Sequence, residues 1–198
     1  EHSGDVNFRN EYHLNEIAGR IIRAVGETYE TVKIDKHDAP VMKHEVNNIE
    51  LPMRLVTETE YKHALKMRAE DMKDPESAQK FSRRIVWYSK VVDRYEIQKS
   101  NPQPMYPVEL HALRIGDVVV CTNPFELFTE YGIQMKARSN AMQTFVLQLV
   151  GPGNYLPTKE AVRGGHYSAI VESNEVGPEG GQILVNWSVA MINKLWPD

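Results

Sequence analysis

VVVCTNPFELFTEYG (residues 118–132), followed by TFVLQLVGPGNYLPTKEAVRGGHY (residues 144–167), is the stretch on which the fold turns. Val118-Val119-Val120-Cys121 is a solid apolar run, too short for a bilayer and too continuous for a half-wet strand. It predicts a strand covered on both faces. The run breaks at Thr122-Asn123-Pro124, where Asn123 suits a helix cap and Pro124 the first helical position. Glu126 then falls in the first turn, at the mouth of a strand-to-helix junction. A second apolar run, Phe145-Val146-Leu147, opens into the polar loop Gly151-Pro152-Gly153-Asn154-Tyr155. In open α/β sheets functional groups collect at such strand ends. The predicted class is therefore α/β, a mixed sheet with flanking helices.

Outward from that stretch, the remaining signals are local. Upstream, Val108, Leu110 and Ala112 alternate with Glu109 and His111 as a strand does. Gly116-Asp117 makes a tight hairpin into Val118. Val46, Ile49, Leu51 and Leu55 give one or two strands near an edge, because Pro52 cannot donate to a ladder. Thr57-Glu58-Thr59-Glu60 is a capping box that opens a helix. Asp74-Pro75 restarts the helical pattern, and Phe81, Ile85, Tyr88, Val92 and Tyr95 form its inward side. Arg83, Arg84 and Lys90 lie on the other, solvated face. Near the start, Leu14, Ile17, Ala18, Ile21, Ile22 and Val25 recur at helical spacing, with Gly26 placed to weaken or end the helix. Downstream, a helix carrying Leu127, Tyr131 and Met135 ends near Ser139-Asn140. Gly177 to Gly181 precedes a last helix whose buried side is Ile183, Leu184, Trp187 and Met191.

The 198 residues, 41% of them hydrophobic, suffice for a single α/β domain or part-domain over residues 1–198. A net charge of -4 with both signs interspersed asks for no nucleic-acid or anionic-membrane partner. Cys121 is the single cysteine, which excludes an internal disulfide framework. No apolar stretch is long enough to be a transmembrane segment. Walker, Rossmann and Gly-x-Ser-x-Gly signatures are missing, and no two histidines show zinc-site spacing.

Three residues carry candidate chemistry. Glu126 fits a metal ligand or general base at a strand end. It fits equally the acidic member of a capping box with Asn123, three residues before it. Tyr155 and Tyr167 fit phenolic ligands or donors to an oxyanion, and also half-buried tyrosines with wet hydroxyls. His166 reads as a surface loop residue.

Taken together, Leu113-Arg114-Ile115-Gly116, the apolar strand and Pro124-Phe125-Glu126 resemble the neutral ceramidase family. In that family a strand runs into Pro-Gly-Glu-Phe-Thr, whose glutamate binds the catalytic zinc. Tyr155 in Asn-Tyr-Leu-Pro-Thr falls on the family's Tyr-Ile-Thr-Thr segment, whose tyrosine also coordinates the metal. Tyr167, twelve residues on, falls on the second active-site tyrosine, which hydrogen-bonds the scissile amide oxygen. The resemblance covers the second half of the chain well and the first helix loosely. It implies a zinc-dependent hydrolase of an amide (N-acyl) or related bond, acting on a small-molecule or lipid-like substrate. An exported or periplasmic setting is also implied by the resemblance alone.

Two departures qualify that picture. Phe125 replaces the family's glycine, a bulk expected to crowd the pocket. Asn7, in Gly4-Asp5-Val6-Asn7-Phe8-Arg9-Asn10, stands at the position of the family's nucleophilic serine, and an amide is no nucleophile under the ordinary rules. The family's histidine ligands lie upstream of that motif, and so before Glu1. The expectation is a C-terminal portion of a larger zinc-hydrolase-like domain, whose missing N-terminal part is its first partner. Glu126 and Tyr155 alone should bind zinc poorly. The alternative is a non-catalytic ceramidase-fold protein that binds or supports structure.

Overall fold

A computed structural model describes residues 6–73 and 83–196, with side chains from residue 13 onward. The side chain of Asn7, the Asp74-Pro75 cap and Phe81 lie outside the described residues. The chain divides into two compact units, one up to Pro40 and one from Val41.

The first unit holds helix α1, Val6–Val32. The apolar spacing yields the helix, and Gly26 does not end it. The stripe is nevertheless not a buried face, since Leu14, Ile17, Ile21, Ile22 and Val25 are all exposed.

The second unit is built on a four-stranded mixed sheet. Its order is β1 (Met42–Pro52), β2 (Met105–Ile115), β3 (Val118–Thr122) and β5 (Gln143–Leu147). β1 and β2 pair antiparallel along their whole length, with Ile49 opposite Val108 and Leu51 opposite Tyr106. The Gly116-Asp117 hairpin joins β2 to β3, and β5 adds in parallel with Val120 opposite Phe145. β1 lies at an edge, with Pro52 as its last residue, as a proline requires.

Alternation decides which residues go inward. Ile49, Leu51, Val108, Leu110, Ala112, Val119 and Cys121 share one face and pack with Leu184, Val185, Val189 and Ile192 of α6 (Pro178–Lys194). Each of the Val, Leu and Ile side chains contributes about 1.5–3 kcal/mol of burial. Burial also pushes the Cys121 thiol up to about 11, as expected for a buried, unreactive cysteine. The expectation of a strand covered on both faces is corrected here. Val119 and Cys121 are buried, but Val118, Val120 and Thr122 on the other side are only half-buried. Beside them Val46, Phe145 and Leu147 are exposed. A second correction concerns α6: Leu184 and Met191 are buried as expected, whereas Trp187 is 45% exposed.

A smaller apolar cluster sits under α2 (Glu58–Asp71) and α3 (Arg83–Ser100). Ala64, Val91 and Val92 fill it, with Tyr61, Tyr88 and Tyr95 around them and Val171 from the C-terminal part. The Thr57–Glu60 capping box forms in both directions. No helix among the described residues is long and apolar enough to cross a membrane.

Candidate functional site

After β3 the chain does not enter a helix. Asn123 is buried, and its Oδ1 accepts from the Phe125 amide at 3.0 Å while its Nδ2 donates to the Leu147 carbonyl. Its own amide donates to Leu147 at 2.9 Å, and its carbonyl accepts from Val150 at 3.0 Å. The side-chain oxygen thus makes a local turn with Phe125, while the Asn123 amide, carboxamide N–H and carbonyl are tied to Leu147 and Val150 at the neighbouring strand end, so no helix starts here. Residues Glu126–Leu127 become a two-residue strand, β4, and the next helix, α4, starts only at Thr129 and runs to Arg138. The Asn123–Glu126 capping box does not exist.

β4 pairs in parallel with β6 (Tyr155–Leu156), and the register sets Glu126 opposite Tyr155. Supporting bonds run from Glu126 N to the Asn154 carbonyl at 3.1 Å and from Phe128 N to the Leu156 carbonyl at 3.3 Å. The loop before β6 fits because Gly153 carries no side chain: a Cβ there would stand 2.1 Å from the Pro124 carbonyl oxygen. Phe125 points the other way from Glu126. It is 1% exposed, with its ring 5.7 Å from that of Tyr106, so it fills the core and leaves the hollow open. The expected crowding is overturned, because Phe125, one residue before β4, is sunk in the core.

At the surface the neighbouring Glu126 carboxylate holds the Tyr155 phenol above its ordinary value, with partial desolvation acting in the same direction. Tyr155 is therefore a neutral phenol, not a ready phenolate. Its ring meets that of Tyr167 edge to face at 5.8 Å. Glu126, Thr129, Gln148, Tyr155 and Ser168 are among the walls of an open hollow of about 440 Å³. Tyr167 borders this hollow through its ring rather than lining it, and the residue is 56% exposed. The paired strands thus set Glu126 beside Tyr155, with the Tyr167 ring against that of Tyr155.

Tyr167 is held by different means. Helix α5 (Lys159–Gly164) is capped at its start by the Thr158 hydroxyl and stopped by Gly165 at φ 68°, a conformation other residues rarely adopt. His166 then begins a 3₁₀ turn, Tyr167–Ala169, and a second follows at Val171–Ser173. Arg54 donates to the Ala169 carbonyl at 2.8 Å, to the Asn174 side chain and to Glu60 at 3.1 Å. Arg94 donates to the carbonyls of Val171 and Asn174, both at 2.9 Å, and of Arg54 at 2.7 Å. Burial of this guanidinium lowers its pKa to about 10. Asn174, fully buried, donates to the Ser168 carbonyl at 2.9 Å.

Arg54, Arg94 and Asn174 carry no sequence signal of this role. Their partners lie as far as 120 residues away, and on α3 the sequence marks only Arg83, Arg84 and Lys90 as a charged face. Trp87, whose ring lies 5.4 Å from Tyr167, went equally unremarked.

Zinc asks for more than this rim offers. Glu126 and Tyr155 are two oxygen donors, whereas a catalytic zinc takes three or four protein ligands. No group of three His, Cys, Asp or Glu side chains among the described residues could hold a metal ion. Comparison of the chain with family models, with characterised proteins and with solved structures gives no match.

Proposed function

We propose that the Glu126–Tyr155–Tyr167 rim is part of a hydrolytic site for an amide (N-acyl) or related bond, in a ceramidase-like zinc hydrolase. The observation that carries this is the parallel pairing of β4 with β6. It sets a carboxylate against a phenol, with a second phenol at the same edge. Water adds across the C–N bond, its oxygen to the carbonyl carbon and its protons to oxygen and nitrogen, giving an acid and an amine. Tyr167 is exposed and placed to donate to the oxygen that gains charge as the carbonyl is attacked. Glu126, opposite Tyr155, would hold a proton or a cation. Zinc belongs to this reading only with donors from outside the described residues. When bound it would polarise the carbonyl or activate water, and no step here is routed through it. A small-molecule or lipid-like N-acyl compound is the substrate class.

The shortage of metal donors favours a second reading, a ceramidase-fold protein that binds such compounds without cleaving them. One experiment separates the two. The protein at its full natural length, supplied with zinc, is incubated with a series of N-acyl amines, and free amine is followed. Cleavage that falls by about a hundredfold or more in Glu126→Gln, and by about tenfold or more in Tyr167→Phe, supports the hydrolase. Cleavage untouched by Glu126→Gln removes Glu126 from the site. Tight binding with no amine released favours the second reading.

A further inference from the structure

A second hollow, about 480 Å³, lies on the other side of the Tyr167–Ala169 turn, with Ala169 and Ile170 in its wall. The turn thus separates it from the Glu126 hollow, whose wall includes Ser168. The two communicate through aromatic rings: Tyr155 meets Tyr167, and Tyr167 meets Trp87, which lines the second hollow. We propose that this second hollow binds the ring of a neutral sugar, and that the substrate class is an N-acylated amino sugar lying across Tyr167. The binding site is inferred from its own walls. Only its connection to cleavage rests on the hydrolase reading.

The walls decide the chemistry. Trp87, Tyr88 and His63 supply rings, and the faces of such rings take the C–H face of a sugar, an apolar surface of matching size. Glu60 is paired with Arg54, and its second oxygen accepts from the amide and the hydroxyl of Thr57, both at 2.8 Å. Arg54 is spent on Ala169, Asn174 and Glu60. Glu172 is the remaining charge in the wall, a carboxylate that disfavours a phosphate and can accept from hydroxyl groups. Among the described residues no hydrogen bond engages the Glu172 carboxylate, the His63 ring nitrogens or the Trp87 indole N–H. An acceptor, a donor and an adaptable imidazole beside an aromatic face are what a ring of hydroxyl groups requires. The volume is that of a small-molecule site.

The test needs no turnover. Protein carrying ¹⁵N in its tryptophan indoles is titrated with N-acetylglucosamine, and with choline and inorganic phosphate as charged probes. N-acetylglucosamine should move the Trp87 indole resonance in a saturable way and leave that of Trp187 in place. Trp87→Ala should weaken binding by about tenfold or more, while Trp187→Ala leaves it unchanged. Trp87→Phe keeps a ring beside Tyr167, and it should bind between the two if the loss in Trp87→Ala reflects stacking rather than misfolding. The proposal is overturned if N-acetylglucosamine leaves the Trp87 resonance still, if choline or phosphate moves it instead, or if Trp87→Ala binds like the wild type. Saturable sugar binding with no amine released from N-acyl compounds would retire the hydrolase and keep the sugar site. Cleavage that depends on Glu126 with no sugar bound would do the reverse.

Discussion

The two sides of the rim are built by different physics. Glu126 and Tyr155 are fixed by backbone: a two-residue parallel ladder, the Asn154 and Leu156 carbonyls, and the Phe125 side chain sunk in the main core. Tyr167 is fixed by side chains: Arg54 and Asn174 reach the carbonyls of its turn at Ala169 and Ser168, and Arg94 holds the segment that follows at Val171 and Asn174. Backbone pairing shares the work among many groups and survives most single substitutions. A buried cation concentrates it, because removing one side chain strands several acceptors at once. The Tyr167 side should therefore be the brittle one.

The largest expected effect tests that directly. Arg94→Met keeps much of the stem volume but leaves three carbonyls without their donor. It should cost on the order of 3 kcal/mol in urea unfolding. In the folded variant, nuclear Overhauser contacts between Tyr155 and Tyr167 should fade while the β4–β6 amides stay protected from exchange. A loss below about 1 kcal/mol, or amides that exchange as readily as the tyrosine contact fades, would break the contrast.

A smaller effect probes the backbone-held side. The Tyr131 hydroxyl, buried, donates to the Pro157 carbonyl at 2.8 Å beside Leu156 of β6. Burial raises this phenol to about 12, with the nearby carboxylates of Glu179, Glu130 and Glu160 adding to the shift. Unfolded, it returns to about 10. The folded state then binds more protons than the unfolded one between those values. Its contribution is whole below about pH 10 and is lost as pH rises toward 12. The loss should amount to about 2 kcal/mol, and Tyr131→Phe should flatten that part of the stability–pH curve. Parallel curves for the two proteins would show that Tyr131 is not what alkali attacks.

How much of this was legible follows from where each partner lies. The Gly116-Asp117 hairpin, the Thr57–Glu60 capping box and the alternation of β2 are settled by residues within a few positions, and sequence shows them. Asn123-Pro124 satisfies every local rule for a helix start. It fails because Leu147 and Val150, more than twenty residues on, tie the Asn123 backbone to the end of β5 and carry the chain on as an extended segment. Trp187 has the period of a buried residue, but periodicity cannot say how wide the covered face of α6 is. The order Glu126, Tyr155, Tyr167 could be marked from a resemblance. That they meet at one rim depends on the β4–β6 register and on Arg54, Arg94 and Asn174, which no local pattern announces.

The smallest expected effect sharpens the comparison most, because two accounts of Glu126 assign it different signs of importance. If its carboxylate closed a helix, Glu126→Gln would weaken the fold by up to about 1 kcal/mol, the usual scale of a lost cap interaction. In the arrangement found here the helix begins at Thr129, and what holds residue 126 in place is its amide on the Asn154 carbonyl, which the substitution leaves intact. Stability should then stay within about 0.5 kcal/mol of the parent. The change should appear instead in Tyr155: with the neighbouring charge gone, its phenol should titrate lower than in the parent, followed by the ring resonances of labelled tyrosine. An unchanged Tyr155 titration together with a weakened fold would return Glu126 to a purely structural role. A lowered titration at constant stability leaves the carboxylate with one evident occupation, facing the hollow.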